Sequence, residues 1–297
     1  MAQDQPAFRS DVALVHVDVE VREDGRTVTD LTKASFRISD NGKPQTIAYF
    51  GHEEEPLDVV LVFDARREVR PDVRRVAEAA HTALSDLRRG DRIAVMAFGV
   101  TSTDCRTDLI ADFTSDFEMA EKSISNQALQ NEQGPQGSGF CSIQKGLDSA
   151  ARLLSKPLSK QQDNVRRRAI IVITDDKGVP TKSDVVRGTI RDLWRADAVV
   201  LGVIVQSKEI VVTIGPPYRG VRYAAEKTGG DILKTNDAAD GLHEMMHRVR
   251  ARYSLYYARP QGSRGEERKV KVQLAASASN GHPRAVVRAR PGYVMPE

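Results

Sequence analysis

Few residues in this chain of 297 invite a chemical reading, and the most suggestive are carboxylates at the ends of apolar runs. Asp64 follows Leu61-Val62-Phe63, and Asp175-Asp176 follow Val172-Ile173-Thr174. In an open α/β sheet, ligands collect outside the carboxyl ends of the strands, where the strand order reverses. Carboxylates there suit a hard cation or a cationic partner group. The stretch Asp64-Ala65-Arg66-Arg67-Glu68 contains no glycine, so no phosphate-cradling turn is expected after the first run. A second motif, His243-Glu244-Met245-Met246-His247, spells H-E-x-x-H on a predicted helix. As a zinc peptidase site, its two imidazoles would hold the metal and Glu244 would activate water. The structural reading of the same stretch is stronger. Leu242, Met245, Met246, Val249 and Tyr253 form an apolar stripe that packs a helix onto a sheet, leaving His243 and His247 on the polar side. No clear third ligand follows, since Glu266, Glu267 and His282 lie in turn-like or strand-like sequence. A Gly-x-Ser-x-Gly elbow is absent, which leaves a serine hydrolase without a foothold.

The elements that must position these residues follow from periodicity. From Asp11 to Arg22, Ala13, Val15, Val17, Val19 and Val21 form one apolar face, which predicts a half-buried strand ending at an Asp24-Gly25 hairpin turn. Phe36 to Ser39, Asp40-Asn41-Gly42 and Gln45 to Phe50 repeat the strand–turn–strand pattern. The character changes at Leu57, where Val59 to Phe63 form an unbroken apolar run of the kind buried on both faces. Further strands are predicted at Ile93–Phe98, Leu109–Phe113 (an edge), Ala169–Thr174, Ala198–Val205 and Ile232-Leu233. Helices are predicted at Pro71–Leu87, Asp116–Ile124, Ser142–Leu154, Lys182–Arg195, Tyr218–Lys227 and Ala238–Arg250, with a Gly/Ser/Gln-rich loop at Asn131–Gly139. Strands alternating with helices of this length predict a mostly parallel sheet covered on both faces. Tyr253–Tyr257, Arg268–Leu274 and Ala285–Arg290 then return to β. The expected organisation is an N-terminal β segment (1–55), a Rossmann-like α/β domain (56–251) and a C-terminal β segment (252–297) that pairs with the first into a small β module.

With these elements in place, the region from Leu57 to Arg250 resembles the von Willebrand factor type A family. The resemblance rests on Leu57–Asp64, Asp91–Phe98, Ile170–Asp175 and Ala225–Leu233. The flanks, Arg26–Thr32 with Phe36, Asp40–Gln45, Tyr253–Tyr257 and Arg290-Pro291-Gly292-Tyr293, look like a bacterial subgroup described as acidobacterial VWFA-related proteins, usually exported. The family implies a metal-ion-dependent adhesion site, built from Asp-x-Ser-x-Ser after the first strand, Thr-Asp-Gly after the fourth and a threonine between them. It also implies a non-enzymatic module for adhesion or protein binding. Here Asp64 stands at the first ligand position, but Arg66 and Glu68 replace the two serines, and Ser138 or Ser142 is the nearest counterpart of the threonine. A guanidinium has donors only and cannot ligate a cation. Two carboxylates such as Asp64 and Asp175 held ~4 Å apart would repel by about 4 kcal/mol at an effective dielectric of ~20. The expectation is therefore a degenerate site in which Arg66 replaces the cation by pairing with both, or in which no ion sits, with Mg²⁺ or Mn²⁺ binding a minor alternative. Scaffold binding through the β module is a further alternative.

Composition bounds the partner and the compartment. Lys and Arg number 44 against 41 Asp and Glu, too even a balance for a dedicated nucleic-acid or membrane-surface binder. No apolar run approaches the ~18 residues that a transmembrane helix needs. The opening Met1-Ala2-Gln3-Asp4-Gln5-Pro6 reads as cytoplasmic on its face, yet is also how an exported chain looks once its signal peptide is gone. The resemblance favours the extracellular or periplasmic side and places Cys105 and Cys141 on the same top face, where an exported chain would bond them and a cytoplasmic one would keep them as thiols. The basic stretches Arg66-Arg67, Arg74-Arg75 and Arg166-Arg167-Arg168 are expected on solvated faces.

Overall fold

The computed structural model describes residues 13–52, 55–65, 69, 74–77, 80–84, 86–99, 107–133, 142–156, 166–178, 181–205 and 220–296. Strict alternation makes Leu14–Glu23 the strand β1, with Val15, Val17, Val19 and Val21 all buried on one face. Asp24 and Gly25, at φ 49° and 81°, take the left-handed backbone that a two-residue hairpin requires, and β2 (Arg26–Thr27) returns along β1. β3 (Phe36–Asp40) and β4 (Lys43–Gln45) form a second hairpin across Asn41-Gly42. The expected strand Gln45–Phe50 is divided at Thr46. Gln45 pairs with β3, whereas β5 (Ile47–His52) leaves for another sheet.

The apolar runs then give β6 (Leu57–Asp64), β7 (Arg92–Phe98), β8 (Thr107–Thr114), β9 (Arg167–Thr174), β10 (Ala198–Val205) and β11 (Ile232–Thr235). They form a six-stranded sheet in the order β11-β10-β9-β6-β7-β8. All neighbours are parallel except β8, an antiparallel edge. Helices Phe117–Gln133 and Ala238–Arg250 cover one face of this sheet, and helices Ile143–Leu154, Ser183–Arg195 and Val221–Thr228 cover the other. The Phe117 helix runs on through Gln133, so the first residues of the expected Asn131–Gly139 loop are helical. The Val221 helix stops at Gly229, which adopts φ 76°. A side chain at Gly230 would begin 1.8 Å from the Val200 carbonyl, so only glycine lets the chain turn back into β11 there.

β12 (Tyr253–Ala258), β13 (Glu267–Leu274), β14 (Val286–Ala289) and β15 (Gly292–Val294) complete two antiparallel sheets. One has the order β14-β1-β12-β5 with β2 on β1, and the other β15-β13-β3-β4. Each combines strands from both ends of the chain, and Val17, Phe36, Tyr253, Leu255, Tyr257 and Val270 share the core between them. Buried Asp40 anchors this sandwich. Its carboxylate accepts the hydroxyls of Tyr257 at 2.8 Å and Tyr293 at 2.9 Å, and Arg268 Nε at 2.7 Å. Tyr253 donates to the Val28 carbonyl at 2.8 Å and accepts from the Leu31 amide at 3.1 Å, fastening the segment between β2 and β3. Strand β15 and the short Ala276–Gly281 helix carry no periodic signal long enough to have been anticipated.

β1 was expected to be half-buried, with its polar face in water. That face instead packs against the amino-terminal side of the parallel sheet, and each polar residue meets an opposite charge. His16 Nδ1 lies 2.6 Å from Asp197, Asp18 pairs with Arg167 at 3.1 Å and with Arg252, and Arg22 donates to Asp231 at 2.8 Å. Arg166-Arg167-Arg168, expected in solvent, belong to the same end of the sheet. Arg166 binds Asp58 at 2.7 Å, Arg167 is 1% exposed, and Arg168 donates to the Ala196 carbonyl at 3.0 Å. Burial disfavours the Asp18 carboxylate, but Arg252 and Arg167 outweigh it and hold its pKa down at about 2. Because that value lies below the ordinary 3.8, the stabilisation is present above about pH 4 and is lost as the pH falls toward 2. Asp18→Ala leaves two buried guanidiniums without their counter-ion, so unfolding in urea at neutral pH should show a loss of about 3–5 kcal/mol. Exposed Arg195→Ala should shift the same curve by less than about 0.5 kcal/mol.

Candidate functional site

With the sandwich seated on the amino-terminal side, the carboxyl ends of the parallel strands form the opposite edge. The strand order reverses between β6 and β9, which lie side by side with Phe63 opposite Ile173. Their last residues therefore converge at the switch point where α/β sheets bind ligands. Asp64 is fully buried at the end of β6, and Thr174 donates its hydroxyl to Asp64 Oδ2 at 2.7 Å from the end of β9. The same Thr174 oxygen accepts the Asp176 amide at 3.1 Å, so one side chain links the two strand ends through a short relay. Asp175 is 7% exposed, and its Oδ1 accepts the Lys177 amide at 3.1 Å.

Asp176 adopts φ 52°, the left-handed conformation that glycine takes most easily. Asp tolerates that backbone better than most residues. Its carboxylate accepts the Val221 amide at 2.7 Å, tying the strand end to the start of a helix on the β10 side. Burial raises its pKa to about 6, against the partial relief that the Val221 amide and Arg222 provide. Sequence reasoning placed Asp176 beside the site without assigning it a role.

Ser142 caps the Ile143–Leu154 helix, its oxygen accepting the Gln144 amide at 3.4 Å. It also lies 2.7 Å from the Thr181 hydroxyl and donates to Gln144 Oε1, which Thr181 reaches at 3.3 Å. Thr181 was not anticipated, because no local motif marks a hydroxyl brought in from 39 residues away. Of the other expected site residues, Arg66, Glu68 and Ser138 lie outside the described residues, as do Cys105 and Cys141.

A hard divalent cation asks for about six oxygen ligands in near-octahedral array. Here the Thr174 hydroxyl is directed at Asp64, and Ser142 is engaged with Thr181 and Gln144. Among the described residues, no group of three or more His, Cys, Asp or Glu side chains is placed to hold a metal. The H-E-x-x-H helix shows the packing expected of its structural reading: Leu242, Met245, Met246 and Val249 are buried. Glu244 accepts from Arg248 Nε at 2.7 Å, His243 sits 3.8 Å from Asp86, and His247 faces solvent.

No protein-family model matches the sequence, and no curated protein matches it. Solved structures with similar folds include the human COPII-coat protein Sec24c, with a TM-score of 0.46 and 10% identity over 82% of this chain and 44% of that one. A von Willebrand factor type A protein from Catenulispora acidiphila gives a TM-score of 0.49 and 12% identity over 98% of this chain and 76% of the other. The manganese-loaded TRAP protein of Plasmodium vivax gives 0.46 and 12%, over 80% of this chain and 96% of the other. The chain thus spans less than half the length of the coat protein. Among the described residues, no helix is long and apolar enough to cross a membrane.

The raised pKa of Asp176 has a definite sign for stability. Between 3.8 and about 6 the native state retains a proton that the unfolded chain has released, so stability declines as the pH rises through that interval. Asp176→Asn keeps the acceptor oxygen and tolerates the left-handed backbone, but does not titrate. It should stabilise the protein at pH 7 by about 1–2 kcal/mol, an advantage that shrinks to nothing near pH 4 in thermal unfolding across that range.

Proposed function

We propose that this chain is a non-enzymatic protein-binding module of the von Willebrand A type, which holds its partner at the carboxyl edge of the parallel sheet without a metal ion. One observation carries the reading. The ends of β6 and β9 meet at the reversal of strand order and bring Asp64, Thr174 and Asp175 together, on the edge opposite the sandwich. The donor chemistry supports metal independence, since Arg66 and Glu68 stand where hydroxyl ligands would be needed. In this proposal Arg66 supplies the positive charge that a cation would otherwise bring to Asp64 and Asp175. A carboxylate of the partner is the group that such a guanidinium would receive. The sandwich of paired N- and C-terminal segments serves as the base that presents the edge. An exported setting, with Cys105 and Cys141 bonded near the same edge, belongs to this reading.

Two measurements test it. Elemental mass spectrometry after equilibration with Mg²⁺, Mn²⁺ and Zn²⁺ should find no stoichiometric metal on the native chain. Retained Mn²⁺ that disappears in Asp64→Ala would restore metal-dependent adhesion, and retained zinc that disappears in His243→Ala would restore the peptidase. For the partner, affinity capture should give the same bound protein in Mg²⁺ and in chelator, with that protein lost on Arg66→Ala and retained on Arg195→Ala. Capture abolished by chelator, or indifferent to Arg66→Ala, would overturn the reading.

A further inference from the structure

A second concave site lies where the Ser183–Arg195 and Val221–Thr228 helices face the outer surface of β13. Its open volume is about 830 Å³, within the range of sites that enclose small organic ligands. Ile190, Trp194, Tyr223 and Pro291 give it an apolar lining. The indole is held in place: Trp194 Nε1 donates to the Lys227 carbonyl at 2.7 Å. A side chain at Gly292 would begin 3.2 Å from the indole edge and 2.5 Å from the Arg268 carbonyl, so glycine keeps that wall of the cleft in position.

Outside its ion pairs, the charge around this lining is positive. Arg268 is neutralised by Asp40 and Glu266, Arg191 by Glu267 at 3.3 Å, and Lys227 by Glu226 at 3.1 Å. Arg187, Lys269 and Lys271 also line the cleft, are exposed, and have no carboxylate partner among the described residues. Lys269 and Lys271 are two residues apart on β13 and so project from the same face. Three uncompensated cations around a recessed apolar lining complement a ligand with a negative head and an apolar body.

We propose that this cleft binds an organic anion with an apolar body, of the class of medium-chain carboxylates. The head sits among Lys269, Lys271 and Arg187, and the chain lies against Trp194, Tyr223 and Ile190. An acidic peptide fits less well, because its backbone amides would be desolvated against side chains that offer them no hydrogen bonds.

Trp194 is the only tryptophan in the chain, so its fluorescence reports on this cleft directly. The full chain is titrated with dodecanoate below its micellar concentration, beside acetate, dodecyltrimethylammonium and an oligoglutamate peptide. A saturable change with dodecanoate is expected, weakened about tenfold or more by Lys269→Glu with Lys271→Glu, while acetate and the cationic amphiphile give none. Both lysines are exposed, so the unfolding curve of the double variant should overlay that of the native chain. Absence of saturation, an equal response to the cationic amphiphile or to acetate, insensitivity to the charge reversal, or binding of the peptide in place of dodecanoate would each overturn the proposal.

Discussion

The contact on which the rest of the molecule depends is the buried pairing of Asp18 with Arg252 and Arg167. Arg252 is fully buried, and besides Asp18 its guanidinium donates to the Gly229 carbonyl at 2.6 Å. Arg167 reaches the carbonyls of Val249 and Arg250 at the end of the Ala238 helix, with Arg250 bonded at 3.2 Å. One carboxylate on β1 therefore joins three things: the first strand of the sandwich, the first residue of β9, and the helix end that leads into β12. Removing any member would strand the others in a low-dielectric junction, where an unpaired charge is far more costly than a missing apolar contact. The neighbouring pairs, His16 with Asp197 and Arg22 with Asp231, extend the same logic along the strand.

This junction also decides which edge of the parallel sheet the sandwich leaves uncovered. The charges it uses cluster at the amino-terminal ends of the strands: Asp58 on β6, Arg167 on β9, Asp197 before β10 and Asp231 before β11. At the other ends, among the described residues, Asp64, Thr174 and Asp176 are linked by a hydroxyl and an amide rather than by the sandwich. Thr174 is the hinge of that arrangement, because a single β-branched side chain serves the end of β6 and the turn after β9 at once. A valine of the same shape would fill the strand but remove the hydroxyl that donates to Asp64.

Much of the parallel sheet was legible in the amino-acid sequence, because strands buried on both faces must read as unbroken apolar runs. Val59 to Phe63, Ile170 to Ile173 and Val199 to Val205 do so, and each falls within an observed strand, the first two ending in the carboxylates Asp64 and, one residue beyond Thr174, Asp175. What escaped reading depended on distant partners. The alternation of β1 signalled one buried face, and nothing local could reveal that Asp18 and Glu20 would find arginines more than two hundred residues away. Arg166-Arg167-Arg168 looked like a solvated run for the same reason. The division of Gln45–Phe50 between two sheets hinges on one residue, Thr46, beyond the resolution of a period-two pattern. The edge at Asp64 was expected from apolar runs that end in carboxylates, while the roles of Thr181 and Asp176 required the folded chain.

Charge rather than hydrocarbon at the junction suits the long stretch of chain that separates its parts. β1 pairs with β12, and Asp18 meets Arg252 across 234 residues of chain. The whole parallel sheet is synthesised between them. A strand apolar on both faces would stay exposed throughout that interval with an open edge, which is the condition under which strands pair with the wrong chain. Alternating His16, Asp18, Glu20 and Arg22 gives β1 one face that water satisfies until its partners arrive. Glu20 shows the limit of the device. It is fully buried, its nearest guanidinium contacts are 3.8 Å away, and burial raises its pKa despite Arg252. The ion network at this junction is thus satisfied most completely at Asp18, where the two halves of the chain are joined, and more loosely toward β14.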